Sequence, residues 1–318
     1  MVSVLVPIYN VAPYIERCAR SLFEQTFSDI EFVFVDDCSP DDSISILQEV
    51  VKDYPAVGER VRIIRNNENK GLAAVRNIAV EKAKGEFILH VDSDDWLEKD
   101  TVELLYSTAI AEDADVVACD FNEIRKKGSS IIVNNCIPDP LMYAKSLLRR
   151  KSLTHIIGKL IRKSILTDNG LRAVEGLNQG EDYLMTPKIA YFSRRIAKVD
   201  KPLYYYNRLN VNSYTANVSD HAIDCIIKVQ NLLVDFFRNI PDAENFKDTL
   251  DESCIYNKIT CFYCAPFSSY KKIRSLYMDI DWHRMRLKSG QRLILRLSDA
   301  GMTRSVYALI RFANFIMK

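Results

Sequence analysis

The chain has 318 residues, 48% hydrophobic and 27% charged, with a net charge of +1. This is enough sequence for a full-sized core in one or two domains, and the balance excludes a disordered or fibrous chain. No apolar run approaches the ~18 residues of a membrane span and Met1 to Asn10 has no basic leader, so a cytoplasmic protein is expected, with its eight cysteines reduced.

The run Val2 to Ile8 fits a strand buried on both faces of a parallel sheet and ends at Pro7-Ile8-Tyr9-Asn10. Helical spacing follows at Ile15, Cys18, Ala19, Leu22 and Phe23, and Ile30 to Val35 is a second buried strand leading into Asp36-Asp37. Ser39-Pro40-Asp41-Asp42 carries the signals that open a helix through about Lys52. Val61 to Arg65 reads as a strand, Asn66 to Gly71 as a loop, Leu72 to Lys84 as a helix stopped by Gly85, and Phe87 to Val91 as a fourth strand. Alternation of this kind predicts an α/β, doubly wound, mostly parallel sheet flanked by helices, with ligands gathering at the carboxyl ends of the strands.

Asp92, Asp94 and Asp95 follow that fourth strand within four positions. Carboxylates this close repel, so the site calls for a cation, an arginine or a phosphate-bound metal. They could instead cap the next helix, but Asp100-Thr101-Val102-Glu103 supplies a capping box there. Asp115 to Cys119 reads as a fifth strand, Lys127-Gly128 as a turn, Asp139 to Arg150 as a helix, and Glu181-Asp182 as the start of a helix after a loop between Gly176 and Gly180. Tyr204 to Arg208 ends a further strand, and the chain beyond Ser219 is helical in pattern. Cys261 and Cys264 lie in an apolar helical pattern without a second pair or a nearby His, which reads as core packing rather than a zinc or redox site.

Residues 271 to 318 hold eleven Lys or Arg against three Asp. The segment 291 to 318 interleaves Arg292, Arg296, Arg304 and Arg311 with apolar residues; such a helix can lie on an anionic membrane or pack on the protein with its arginines in water.

In order and spacing, VSVLVPIYN, VDDCSPDDS, NKGLAAVRN, HVDSDDW and GEDYLM resemble the bacterial family-2 glycosyltransferases over residues 1 to 215. The resemblance implies a GT-A-type catalytic domain over 1 to 215, divided into a nucleotide-binding half (1 to 120) and an acceptor-side half (121 to 215), with a C-terminal helical region over 216 to 318. It implies an inverting, non-processive transferase that moves a hexose or N-acetylhexosamine from a UDP-sugar to an acceptor hydroxyl in surface polysaccharide assembly; the QxxRW motif of processive synthases is absent.

Pro7, Tyr9, Asn10, Asp36 and Asp37 then fall to the nucleotide, and Arg76 to the diphosphate. Asp92-Ser93-Asp94 matches the DxD motif, giving Asp94 to Mn2+ or Mg2+, Asp92 to the metal or ribose, and Asp95 a supporting place. A hard cation of this kind takes one or two carboxylates plus substrate phosphates. Asp182 is expected as catalytic base, with Glu181 the second choice. Trp96, His155, Lys159, Tyr206 and Arg208 fall on the acceptor side, with Ser213 beyond them. The sequence departs from the family at Cys38, where glycine is common. A glycan or lipid-linked sugar is the expected acceptor, peripheral membrane contact is possible through the basic segment, and no nucleic-acid partner is expected. A sugar nucleotidyltransferase would need a glycine-rich basic loop after the first strand, and a dinucleotide-binding module G-x-G-x-x-G; the chain has neither. A catalytically inactive interaction protein is the remaining alternative, disfavoured by the intact DSDD and GED.

Overall fold

The computed structural model describes residues 1–177, 179–210 and 220–316. Ser213, the expected boundary at 215 and the expected helical onset at 219 lie outside them. The chain divides into two compact units, Met1–Leu147 with Lys151–Ser213, and Leu148–Arg150 with Tyr214–Lys318.

The first unit is built on a sheet with strands β1 (Val2–Ile8), β2 (Ile30–Asp36), β3 (Val61–Arg65), β4 (Phe87–His90), β5 (Trp96–Leu97), β6 (Val116–Arg125), β7 (Gly128–Ile132), β8 (Lys159–Arg162) and β9 (Ile196–Asn207). Their order is β3-β2-β1-β4-β8-β6-β9-β5, with β7 paired to β6. The block β3-β2-β1-β4 and the pair β6-β9 are parallel, and β8 joins the two blocks antiparallel to both, so most of the paired length is parallel. Helices α1 (Ala12–Phe23), α2 (Ser43–Asp53), a short α3 (Pro55–Gly58), α4 (Leu72–Lys82), α5 (Thr101–Ala111), α6 (Pro140–Leu148), α7 (Lys163–Asp168) and α8 (Glu181–Phe192) complete the crossovers.

The helical spacing of Ile15, Cys18, Ala19, Leu22 and Phe23 is the buried stripe of α1, and Phe23 meets Phe32 and Phe34 of β2 edge-on at 5.2 and 6.1 Å. Side chains as large as these contribute about 1.5–3 kcal/mol each when fully buried. The opposite face of β1 and β2 takes α4, whose Ala73 and Ala74 are small enough for close approach.

Two expected helix starts form differently. Helix α2 begins at Ser43, four residues beyond Ser39, and Asp42 at its cap makes no side-chain capping bond. The polar groups cap a different helix: Asp41 Oδ2 accepts from the Ala12 N–H at 2.8 Å, and Ser43 Oγ from the Val11 N–H at 3.0 Å, closing the orphan donors of α1 across the sheet edge. The capping box at Asp100 also does not form. Gln25 reaches across instead, its Oε1 accepting from the Val102 N–H at 3.0 Å, while Glu103 accepts from the Thr26 hydroxyl.

At the carboxyl ends of β1 and β2 the chain turns out of the sheet through two residues in the left-handed region, Asn10 at φ 56° and Cys38 at φ 61°. Asparagine tolerates this conformation, whereas cysteine carries the steric cost of its Cβ, about 1–2 kcal/mol. The sequence therefore keeps the backbone geometry that glycine would take without strain. Cys38→Gly is expected to stabilise the fold by about 0.5–1 kcal/mol after the extra entropy of a glycine in the unfolded chain is offset. Urea denaturation measures it, and a lower midpoint at unchanged slope would show that the thiol makes a contact worth more than the strain.

The second unit is helical: α9 (Asp220–Arg238), α10 (Lys247–Cys264), α11 (Tyr270–Arg274), α12 (Ser289–Asp299) and α13 (Thr303–Ile316). Cys261 lies in its core beside Phe262 and Tyr270, while Cys264 is exposed. The basic segment forms two helices broken at Gly301, φ 78°, and its apolar residues Ile294, Leu295, Val306 and Ile310 are spent in the unit's own core. Among the described residues, no helix is long and apolar enough to cross a membrane.

Candidate active site

Three strand ends and two helix starts of the first unit supply the site. Asp37, immediately after β2, is buried, and its carboxylate is already engaged. Oδ1 accepts from Asn66 Nδ2 at 2.8 Å and the Lys70 N–H at 2.9 Å, and Oδ2 from the Gly71 N–H at 2.8 Å. It thus anchors the loop that ends at Gly71, φ 83°, where α4 begins. Asp36 accepts from the Ser39 N–H at 2.9 Å and lies 3.6 Å from Arg65. Tyr9 stands exposed at the end of β1, and the Asn10 N–H donates to Ser39 Oγ at 3.2 Å. Pro7 is half-buried beside them.

One turn into α4, the buried guanidinium of Arg76 faces three carboxylates. Its Nη2 lies 3.2 Å from Asp92 Oδ1, 3.6 Å from Asp182 Oδ1 and 3.7 Å from Glu181 Oε1. Burial opposes the arginine's charge, but Asp92, Asp182 and Glu181 outweigh it and hold the guanidinium firmly charged. Burial pushes the Asp92 carboxyl up to about 6 against the pull of Arg76, with Asp94 and Asp182 adding to the rise. Burial takes Glu181 further, to about 8, with Asp182 adding and Arg76 opposing. Gly180, left-handed at φ 87°, starts α8 so that both acids sit in its first turn, where the helix dipole favours negative charge. Among the described residues, Arg76 Nε and Nη1 and Asp182 Oδ1 are buried without a hydrogen-bond partner.

The three aspartates after β4 play unequal parts. Asp95 is 1% exposed and closed off, accepting from the Tyr204 hydroxyl and from the Asn207 N–H, both at 2.7 Å. Burial, with Asp94 and Asp92 beside it, raises its carboxyl well above the usual range. Tyr204 in turn accepts from the Asp92 N–H at 3.1 Å. Asn207 Nδ2 donates to the Asp94 carbonyl at 3.0 Å, and Asn210 Nδ2 to Asp94 Oδ2 at 2.8 Å. The end of β9 therefore clamps the aspartate loop. Ser93 is buried within it.

A divalent cation fits this donor set only as a shared ligand. No group of three or more His, Cys, Asp or Glu is placed to hold a metal among the described residues. Asp92 keeps 29% of its side-chain surface, and Asp94 has one oxygen free of Asn210. Two carboxylates that need phosphate oxygens to complete the shell are what Mg2+ or Mn2+ accepts.

The expected acceptor-side residues separate. Lys159 is 2% exposed, and its ammonium donates to the main-chain carbonyls of Leu153, at 3.0 Å, and His155. It pins that turn rather than facing a ligand, and burial lowers its pKa to about 8. Trp96 is covered by Tyr205, stacked at 4.9 Å, and by Arg17, 3.5 Å from its ring centre. His155 packs 5.5 Å from Tyr206, over which Arg208 lies at 4.6 Å while donating to Glu123 at 3.1 Å. These three form one aromatic and cationic patch, and Lys159 does not belong to it.

The Glycosyl transferase family 2 model matches residues 3–168. Over 267 residues the chain is 32% identical to the putative glycosyltransferase EpsH of Bacillus subtilis (strain 168), spanning 82% of this chain and 76% of that one. The chain belongs to glycosyl transferase family 2. Over 207 residues it is also 31% identical to the poly(ribitol-phosphate) beta-N-acetylglucosaminyltransferase TarS of Staphylococcus aureus (strain Mu50 / ATCC 700699), spanning 64% of this chain and 35% of that one. The structure of S. aureus TarS 1-349 in complex with UDP-GlcNAc superposes with a TM-score of 0.71 at 22% identity, covering 98% of this chain and 91% of that chain, a likeness of fold. The fold is thus GT-A and the protein a glycosyltransferase, which removes the nucleotidyltransferase alternative.

Sequence reading missed several residues that hold or border this candidate site. Tyr204 and Asn207 read only as the end of a strand and Asn210 carries no motif, although the run of three tyrosines before an asparagine is a signal that this end carries more than packing. His90 was invisible inside the apolar strand FILH. It is buried, and neither ring nitrogen has a hydrogen-bond partner among the described residues. Burial, with Arg76 nearby, depresses its pKa well below the ordinary range, so the ring is neutral.

Proposed function

We propose that the transferase moves a sugar from a UDP-sugar to an acceptor hydroxyl with inversion, in bacterial surface polysaccharide assembly. The observation that carries this is Asp182 Oδ1, buried without a hydrogen-bond partner among the described residues and held 3.6 Å from Arg76 beside Asp92. An unsatisfied acid next to a fixed cation suits a base that takes the acceptor hydroxyl's proton. The acceptor oxygen then bonds to the anomeric carbon as the bond to the diphosphate oxygen breaks on the opposite face, and the nucleoside diphosphate leaves. Arg76 attracts the negative charge that builds on the leaving group.

Asp94 with Asp92 would hold Mn2+ or Mg2+, which when bound supplies further offset of the diphosphate charge. Pro7, Tyr9, Asn10 and Asp36 form the nucleotide side; Asp37 acts mainly through the loop it anchors, with one lone pair left for a base N–H. Ser93 shapes the aspartate loop. His155, Tyr206 and Arg208 would meet a glycan or lipid-linked acceptor, with Trp96 as the wall behind Arg17. Uridine as the nucleotide is supported by the TarS complex with UDP-GlcNAc.

A screen of UDP- and GDP-sugars for donor hydrolysis tests the reading. Turnover is expected with UDP-sugars and Mn2+ or Mg2+, abolished by chelator, and reduced about 100-fold or more by Asp94→Ala. Turnover unchanged by chelator or by that substitution would sink the metal assignment, and preference for GDP-sugars would sink the uridine assignment.

The enzyme would work in the cytoplasm, and its C-terminal unit could rest on an anionic membrane. Leu293, Met302 and Phe312 remain exposed there among Arg292, Arg296, Arg304 and Arg311. Since truncation at 291 would strip the unit's core, the better test is Leu293→Glu with Phe312→Glu. Flotation with anionic liposomes should be lost in the double variant, and equal flotation would remove the membrane reading.

A further inference from the structure

Arg76 holds the acids of α8 by charge but not by direction. Its Nη2 stands 3.6 Å from Asp182 Oδ1 and 3.7 Å from Glu181 Oε1, beyond the length of an N–H···O hydrogen bond, about 2.7–3.2 Å. The directional contact is made by the next residue of α4, Asn77, which closes the motif NKGLAAVRN. Asn77 Nδ2 donates to the Ala173 carbonyl at 2.9 Å, and Asn77 Oδ1 accepts from the Ala173 N–H, also at 2.9 Å. Both residues are buried. The side-chain amide thus exchanges two bonds with one main-chain residue, as facing residues of antiparallel strands do. Only Asn and Gln carry a donor and an acceptor in that arrangement, and Gln is a methylene longer.

Ala173 lies on the segment that leads into α8. Two glycines follow it in the left-handed region, Gly176 at φ 80° and Gly180 at φ 87°. Between them the chain folds back on itself, the Leu177 N–H donating to the Val174 carbonyl at 3.0 Å, with Leu177 buried. Glycines in such turns are the points where the backbone swings most easily, and the last of them adjoins Glu181 and Asp182. Further along, the body of α8 is tied to another part of the fold, the Thr186 hydroxyl donating to the Thr154 carbonyl at 3.0 Å. The first turn of α8 therefore lies between a hinged segment and an anchored helix body, and the hinged segment is clamped at Asn77.

We propose that Asn77 is a positioning residue for the catalytic base: by clamping Ala173 to the helix that carries Arg76, it sets the first turn of α8 so that Asp182 meets the acceptor hydroxyl. Two adjacent residues of α4 divide the task, Arg76 supplying charge and Asn77 supplying register. The inference rests on the reading of Asp182 as base and deepens it. Asn77 itself touches no reacting atom.

The test is a double-mutant cycle on the full chain, followed by single-turnover donor hydrolysis with Mn2+ and the best UDP-sugar of the donor screen, at a temperature below the unfolding of every variant. Asn77→Ala should lower kcat about 10- to 100-fold, the cost of a misplaced reacting group, with UDP binding by itself unchanged. In the Asp182→Asn background the same change should cost less than about 3-fold, because the group that Asn77 places is already gone. Asn77→Ser, whose hydroxyl is too short to reach both main-chain groups, should behave alike and carries the cycle if Asn77→Ala does not fold. Losses that multiply across the two backgrounds, or a fall in UDP binding equal to the fall in turnover, would show a merely structural role and overturn the inference while leaving Asp182 as base. Unimpaired kcat in Asp182→Asn alone would overturn the base assignment and this inference together.

Discussion

Asp182→Asn is expected to lower kcat about 100- to 10,000-fold with little change in UDP affinity, the loss associated with removing a positioned general base. The variant keeps the side chain's size and its place in the first turn of α8. Glu181→Gln should cost much less, because Glu181 is 7% exposed and pushed up to about 8, so that near pH 7 it is mostly protonated and no ready acceptor of a proton. Single-turnover measurements with saturating donor check the pair. If Glu181→Gln loses more than Asp182→Asn, the roles are reversed.

Arg76→Met is expected to destabilise the fold by about 3–5 kcal/mol at pH 8, since removing one partner of a buried ion cluster leaves the other charges uncompensated. The pH dependence gives the effect its signature. In the native protein Glu181 and Asp92 titrate at about 8 and about 6, above the ordinary carboxyl values of 4.5 and 3.8. Across those windows the native state binds more protons than the unfolded chain, so both groups contribute a loss of stability as pH rises. The steepest slope for one group is about 1.4 kcal/mol per pH unit. Arg76 holds both values down, so its removal widens the windows and deepens the loss. At pH 5 the variant should therefore lie much closer to the wild type than at pH 8. Urea unfolding at the two pH values measures this, and an equal deficit at both would mean that Arg76 stabilises by packing rather than by charge.

The spacing of motifs at strand ends was enough to bring Asp92, Arg76, Glu181 and Asp182 together. Each sits at an element boundary that local chemistry announces: an apolar strand running into acids, a glycine before a helix, an acid pair in a first turn. Local chemistry could not rank the acids, because Asp95 and Asp94 are equivalent as letters. They differ only through Tyr204, Asn207 and Asn210, more than a hundred residues away, which close one carboxylate and leave part of the other open. Lys159 shows the converse, a charge that reads as a surface or ligand contact yet is satisfied by carbonyls inside a turn.

The caps carry the same lesson. Asp41 and Ser43, at the start of α2, bond the first amides of α1, and Gln25, just after α1, bonds an amide of α5, because the fold brings these helix starts within reach of residues from other elements. The sequence by itself determined the α/β alternation and the strand ends at which the carboxylates stand, since hydrophobic period is a local property. Only the tertiary structure decided which carboxylate β9 closes, which cation serves three acids, and that His90 is buried with neither ring nitrogen hydrogen-bonded among the described residues. Burial and hydrogen-bond partnership depend on what the rest of the chain places alongside.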